Sequence, residues 1–483
     1  MADDRDPFAN GPDPADPDNP LNQFFAQFGI TPGPDGEFDL NQLVGRLQGA
    51  MQQFSAQMAR MGPTDPDSGM NWSFTKDVAR KVTASKGSDS TPTPAEAGRI
   101  RDAVGLADLW LDSEIAFPRL ASAPAAWSRA DWVEQTFATW QRLARPIVTS
   151  LAQALGTLLN REGVAEVPGA ELMQPMMRAA ASGMFGAQVG QSLGSLATEV
   201  VSLSDIGLPL TDTPRVALLP TNVAAFAEGL EQPASDVLLF LALREAARQR
   251  LFAAVGWLGP QLHALVEHYA RDITIDAGAL EQAIESQLSA SMSAEEIEQA
   301  GLALAGKLFE PAVTQEQKEV LARLETLLAL VEGWVDEVVA HTLSKWMPNA
   351  SALTEVVRRR RAAGGPAENA LQSLVGLELR PRRTRDAANL WAATRAARGE
   401  QARDDAWAHP DLIPTAADLD DPLGYAQHGH AQAAPDDLDA ELAKLLDEAD
   451  GTPKARGSPN RAPSRARVGA FRGSRRSQPQ RGI

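Results

Sequence analysis

Apolar residues recur at helical spacing through most of this chain, and alternation at period two is nearly missing. The longest stripe is Val320, Leu324, Leu327, Val331, Trp334, Val335 and Val338. It follows Thr314 and Gln317, a pair spaced to cap each other, and predicts a helix running to about Trp346. Thr93-Pro94-Ala95-Glu96 is a second capping box, with proline at the first helical position, where its missing N–H costs nothing. Ser128 to Asp131 opens a helix carrying Trp132, Phe137 and Trp140, and Ser293 to Glu296 opens another. An earlier helix starts at Asp39, with Gln42 placed to reach back. Its stripe is Leu40, Leu43, Val44, Leu47, Met51, Phe54, Met58 and Met61, and Gly62-Pro63 ends it. Val216-Ala217-Leu218-Leu219 is the best strand candidate. The fold expected is mainly α, with little β structure. Gly186, Gly190 and Gly194, four apart and interrupted by Gln188 and Gln191, read as a close helix–helix contact in a water-soluble protein rather than a membrane pair.

The ends differ from the middle. Residues 1–38 are acidic and rich in Pro and Gly, too polar to pack, and are expected to be disordered. Residues 39–430 form the helical domain, as one body or two lobes; 483 residues that are 44% hydrophobic can bury such a core. Residues 431–483 are a second disordered segment. It is acidic first, with Leu438, Leu442, Leu445 and Leu446 as an apolar edge, and from Gly451 to Ile483 it is basic without a single acid. A net charge of −18 disfavours general nucleic-acid affinity, so the tail 451–483 is the place for any polyanion contact. A solvated tail folded back on the acidic segment is its plainer reading. No run reaches the roughly eighteen apolar residues of a membrane span, and the start lacks a signal peptide's pattern. A cytoplasmic protein without a membrane partner is expected. Cysteine is absent, which excludes disulfides, thiolate metal sites and cysteine nucleophiles.

Phosphate-loop, dinucleotide-binding and serine-elbow motifs are all missing. Two arginine clusters, Arg358 to Arg361 and Arg380, Arg382, Arg383 and Arg385, lie in acidic surroundings and are expected to form internal ion pairs. Of six histidines, His263 and His268 are five apart and face different sides of a helix. His428 and His430 sit beside Gly429 near the tail, and solvent exposure is expected for both. His409, in Trp407-Ala408-His409-Pro410-Asp411, is expected to be a structural cap or a buried hydrogen-bonding group.

Three segments carry a family resemblance. Residues 235–252 read SDVLLFLALREAARQRLF and are followed by AAVGWLGPQL; residues 327–339 read LLALVEGWVDEVV; and residues 375–422 run from VGLELRPRRTRDAANLW to AWAHPDLIPTAADLDDP. The chain resembles the zincin-like metallopeptidase type 2 family over roughly residues 20–425, in the branch labelled as hydrolases. A sister branch is labelled with the biosynthesis of a deazaflavin coenzyme. In that family a His-Glu-x-x-His helix grips zinc with two histidines on one face, and the glutamate acts on the zinc-bound water. A Leu-Glu-Gly-His segment supplies the remaining ligand.

Here the matching helix reads Arg244-Glu245-Ala246-Ala247-Arg248, and the second segment keeps Glu332 and Gly333 but has Trp334 in the histidine's place. The resemblance therefore puts Glu245 at the general-base position and Arg244, Arg248 and Trp334 at the ligand positions. A guanidinium stays protonated and has no lone pair for a metal. No cofactor is expected. Glu245 reads first as an ion-pair partner of Arg248, three residues on. Arg244 or Arg248 could supply fixed positive charge in the metal's stead, paired with Glu332. Function is then expected to be that of a catalytically inactive relative that binds a protein or peptide. The alternative is an active zinc hydrolase with non-standard ligands such as Glu245, Glu332 and His268.

Overall fold

A computed structural model describes residues 64–65, 69–159, 170–271, 314–347, 350–362 and 383–429. The N-terminal segment and its 39–62 stripe, the Ser293 to Glu296 helix start, Arg380, Arg382, His430 and the acidic and basic parts of 431–483 lie outside the described residues. The chain divides into two units at Ala431, and every element below belongs to the first.

Helix α1 (Trp72–Ser85) begins where the Asn71 side chain accepts the Phe74 N–H. Helix α2 (Pro94–Leu111) starts on the expected capping box of Thr93 and Glu96. Strand β1 (Ala125–Ala126) then leads into α3 (Arg129–Leu159), whose first turn is tied down by Ser128 and Asp131. Helix α4 (Ala170–Glu199) follows. Strand β2 (Ala217–Leu218) pairs with β1 in parallel, Ala125 opposite Ala217, at the predicted strand. Next come α5 (Pro220–Ala227), α6 (Ala234–Ala254), α7 (Leu258–Arg271), α8 (Gln315–Trp346) and α9 (Ser351–Ala362). The last elements are α10 (Thr384–Asp405), a 3-10 turn (Pro410–Leu412), α11 (Ala416–Asp420) and α12 (Pro422–His428). The mainly α expectation holds. Among the described residues no helix is long and apolar enough to cross a membrane.

The glycine row packs α4 on α1. A Cβ at Gly190 would lie 2.6 Å from the Thr75 carbonyl oxygen, and one at Gly194 2.6 Å from that of Ala79. Backbone meets backbone there, as the spacing suggested. Gly333 plays the same part between α8 and α10, where a Cβ would stand 2.5 Å from that of Ala387. Helix α10 breaks at Gly399, whose φ of +86° suits a residue without a side chain. The break is followed by Arg403 and Asp404, both buried against α8.

Two helices lie inside the body rather than on it. Every residue of α6 from Phe240 to Phe252 is buried, and so is every residue of α8 from Leu327 to Val339. A helix without a wet face must satisfy its charged side chains internally. Those charges are Arg244, Glu245, Arg248 and Arg250 on α6, and Glu332, Asp336 and Glu337 on α8.

Candidate functional site

Arg244, Glu245, Arg248, Glu332 and Asp336 meet at one place, while Arg250 pairs with Asp108 and Asp112 at the end of α2 and Glu337 faces α10. Glu245 is wholly buried. Its Oε1 accepts hydrogen bonds from the Ser204 N–H (3.2 Å), the Ser204 hydroxyl (2.9 Å) and the Gln249 amide (3.0 Å). Its Oε2 accepts from the Ser202 hydroxyl (2.7 Å) and from Arg248 Nη1 (2.9 Å). Arg248 then spans to α8 as a fork: Nε donates to Glu332 Oε1 at 2.7 Å and Nη2 to Oε2 at 3.0 Å. Arg244 donates to Asp336 Oδ1 at 2.7 Å and to Glu332 Oε2 at 3.2 Å, and lies over the Phe240 ring. Burial pushes the Arg248 guanidinium toward neutrality, but Glu332 and Glu245 outweigh it and hold its pKa above the ordinary arginine value. Both guanidiniums point inward, and each is paired with Glu332.

Trp334 is buried on the other side of α8, two residues on from Glu332. Its indole N–H donates to Asp404 Oδ1 at 3.0 Å, and the Arg403 guanidinium lies 5.6 Å from its ring centre. Arg403 donates to Asp404 and to Glu337 Oε2 (2.7 Å), while Arg395 pairs with the other Glu337 oxygen. Asp404 also accepts the Ala116 N–H at 2.8 Å. The sequence reading did not single out Ser202, Ser204, Gln249, Asp336, Glu337, Arg403 or Asp404. Asp336 and Glu337 had a signal, since they stand in an apolar run with no polar face. The others come from elements whose approach to α6 and α8 no spacing records.

Zinc does not fit these residues as arranged. The positions matching the family's ligands carry two guanidiniums and an indole, none with a lone pair to donate. The oxygens of Glu245 and Glu332 already accept N–H and O–H donors. Among the described residues no group of three or more His, Asp or Glu side chains is placed to hold a metal. His268 is a correction to the alternative ligand set. Its Nε2 lies 3.3 Å from Glu316 Oε1, and Glu316 stands sixteen residues before Glu332 on α8, about 24 Å along the axis at ~1.5 Å per residue. His409 is a cap, its Nδ1 accepting the Asp411 N–H, and its side chain is exposed. His428 is exposed, as expected, and its Nδ1 lies 3.2 Å from the Gly424 carbonyl. Arg359 and Arg360 pair with Glu355 and Asp205, and Arg383 with Asp386 and Asp420, so these members of the arginine clusters are internally matched.

A cleft of about 420 Å³ opens beside the cluster. Gln249, bound to Glu245 and to the Arg215 N–H, forms part of its wall. Pro209, Pro214, Phe252 and Pro260 give it apolar sides. Arg142 Nη2 lies 2.9 Å from His263 Nδ1, and His263 Nε2 lies 2.8 Å from the Pro209 carbonyl oxygen. Burial and the neighbouring Arg142 hold the His263 pKa below the ordinary imidazole value. The neutral ring thus donates from Nε2 to Pro209 and accepts at Nδ1 from Arg142.

The family model described as zincin-like metallopeptidase matches residues 70–426. Among curated proteins nothing matches. A crystal structure described as "a putative hydrolase with a novel fold", from Chloroflexus aurantiacus, superposes with a TM-score of 0.51 at 18% sequence identity. The alignment covers 74% of this chain and 97% of that one, and at this identity it speaks for the fold alone. The described domain falls almost wholly within the matched residues. The chain belongs to the zincin-like metallopeptidase family.

Proposed function

We propose that this chain is a catalytically inactive member of its family, acting in the cytoplasm as a protein- or peptide-binding module. One observation carries the reading: both arginines at the helix ligand positions are buried and spent on carboxylates, one of them the Glu332 that the family segment retains. Glu245, at the general-base position, accepts from five donor groups and is wholly buried, which leaves it no open side from which to reach a water. The open cleft beside it supports binding as the retained activity. The basic tail 451–483 is proposed as a separate contact for polyanions, read by salt-sensitive binding that disappears when the tail is deleted.

The test is the zinc content of the full chain after incubation with zinc and desalting, paired with a peptide-hydrolysis assay. A metal ratio near zero and no hydrolysis are expected. Near-stoichiometric zinc, with hydrolysis that Glu245→Gln abolishes, would overturn the proposal and establish the alternative of an active zinc hydrolase with non-standard ligands.

A further inference from the structure

The cleft beside the cluster differs from its surroundings in having charge to spare. Arg142 reaches hydrogen-bond distance with one partner, His263, and its Nε approaches Glu267 only to 3.6 Å. A guanidinium has five N–H donors, and among the described residues its hydrogen-bond partner is His263, with Glu267 as a longer ion-pair partner at Nε; the half-exposed fork lines the cleft with donors to spare. Asp212, also in the lining, is exposed and makes no ion pair among the described residues. Three prolines, Phe252, Gly256 and Ala264 line the space with short or rigid side chains. Gly256 leaves room: a Cβ built there meets no atom within 4 Å.

A bare anion is a poor match, because Asp212 and Glu267 outnumber Arg142. A purely apolar ligand would strand the guanidinium. We propose that the cleft binds a short peptide with an apolar middle, which places a carboxylate on Arg142 and a cationic nitrogen by Asp212. This deepens the binding role proposed above and rests on it. The carboxylate and the nitrogen can be the two ends of a free peptide, or an acidic and a basic side chain within a longer one. His263 is a positioning residue: its neutral ring ties the Arg142 fork to the Pro209 carbonyl, so the cation stands at a fixed point of the rim.

The test is saturation-transfer NMR on the full-length protein with two probes. One is the tripeptide Leu-Ala-Leu with free ends; the other is acetyl-Glu-Leu-Ala-Lys-amide, in which only side chains are charged. Transfer to at least one is expected, and the one that binds tells ends from side chains. Arg142→Met should weaken that binding about tenfold, the loss of one charge-assisted contact. Gly256→Leu, which fills open space without backbone strain, should abolish it while leaving the thermal melt in place. Absence of transfer to both probes, or equal transfer to wild type and Gly256→Leu, would overturn the assignment. The metal assay is independent of it. A zinc-free protein that ignores both probes sinks the cleft assignment alone. A zinc-loaded protein whose peptide binding Gly256→Leu still blocks sinks the inactive-enzyme reading alone.

Discussion

The cluster at the family's metal position and the cleft next to it share a wall at Gln249, yet they treat charge in opposite ways. In the cluster Arg244, Glu245, Arg248, Glu332 and Asp336 are all less than a tenth exposed, and each is held by partners from another element or a neighbouring turn. In the cleft the Arg142 side chain is 47% exposed and its closest carboxylate is 3.6 Å away. Charge in the first region is used up in joining α6 to α8. Charge in the second is matched only loosely, by the half-exposed pair of Arg142 and Glu267. The proposed ligand site rests on this physical difference rather than on position in a motif.

That contrast can be broken most forcefully at Glu332. Glu332→Ala leaves two buried guanidiniums short of a partner and should destabilise the fold by about 3–5 kcal/mol, read from denaturant unfolding. A loss below about 1 kcal/mol would mean that the cluster does not hold the helices together. Next in size is coupling within the cluster. Arg248→Met and Glu245→Gln remove two sides of one contact, so the double variant should lose at least about 1 kcal/mol less than the two single losses added. Strict additivity would separate Glu245 from the rest.

The pH response is a smaller effect. Burial, then Arg142, lowers the His263 pKa; burial, then Arg395 and Lys345, lowers that of His341. Unfolded imidazoles near the ordinary value of about 6.5 bind protons more readily, so the unfolded state gains protons first on acidification. This contribution to stability is present above about pH 6.5 and is lost as the pH falls below it. The melting temperature should therefore drop in that range, and His263→Gln should flatten part of the drop. The smallest effect is Arg142→Met on stability, under about 1 kcal/mol for its half-exposed pair with Glu267, against the roughly tenfold loss expected in peptide binding.

Much of the fold could be read from residue order, for local reasons. The capping boxes at Thr93 and Thr314 set their helices because the partners lie three residues apart and need nothing else. The glycine row at 186, 190 and 194 announced a close contact but not its partner, since α1 is more than a hundred residues away. The same limit applies to the site. Arg244, Glu245, Arg248, Glu332 and Trp334 could be named from the family's spacing, and a pairing of arginine with Glu332 followed from charge alone. The acceptor for the Trp334 indole, Asp404, lies seventy residues on, past the break at Gly399. His268, which seemed available for a metal, is held at the far end of α8 because α7 crosses it near Glu316 rather than near Glu332.

The fork of Arg248 has one more consequence. A bound ion must be acquired by each new molecule, can be stripped by a chelator, and ties a protein's maturation to the supply of that element. A guanidinium is made with the polypeptide on the ribosome and cannot dissociate. The positive charge that joins α6 to α8 is inherited through two codons, and on the proposed reading the assembly of this centre would not depend on the cell's zinc supply.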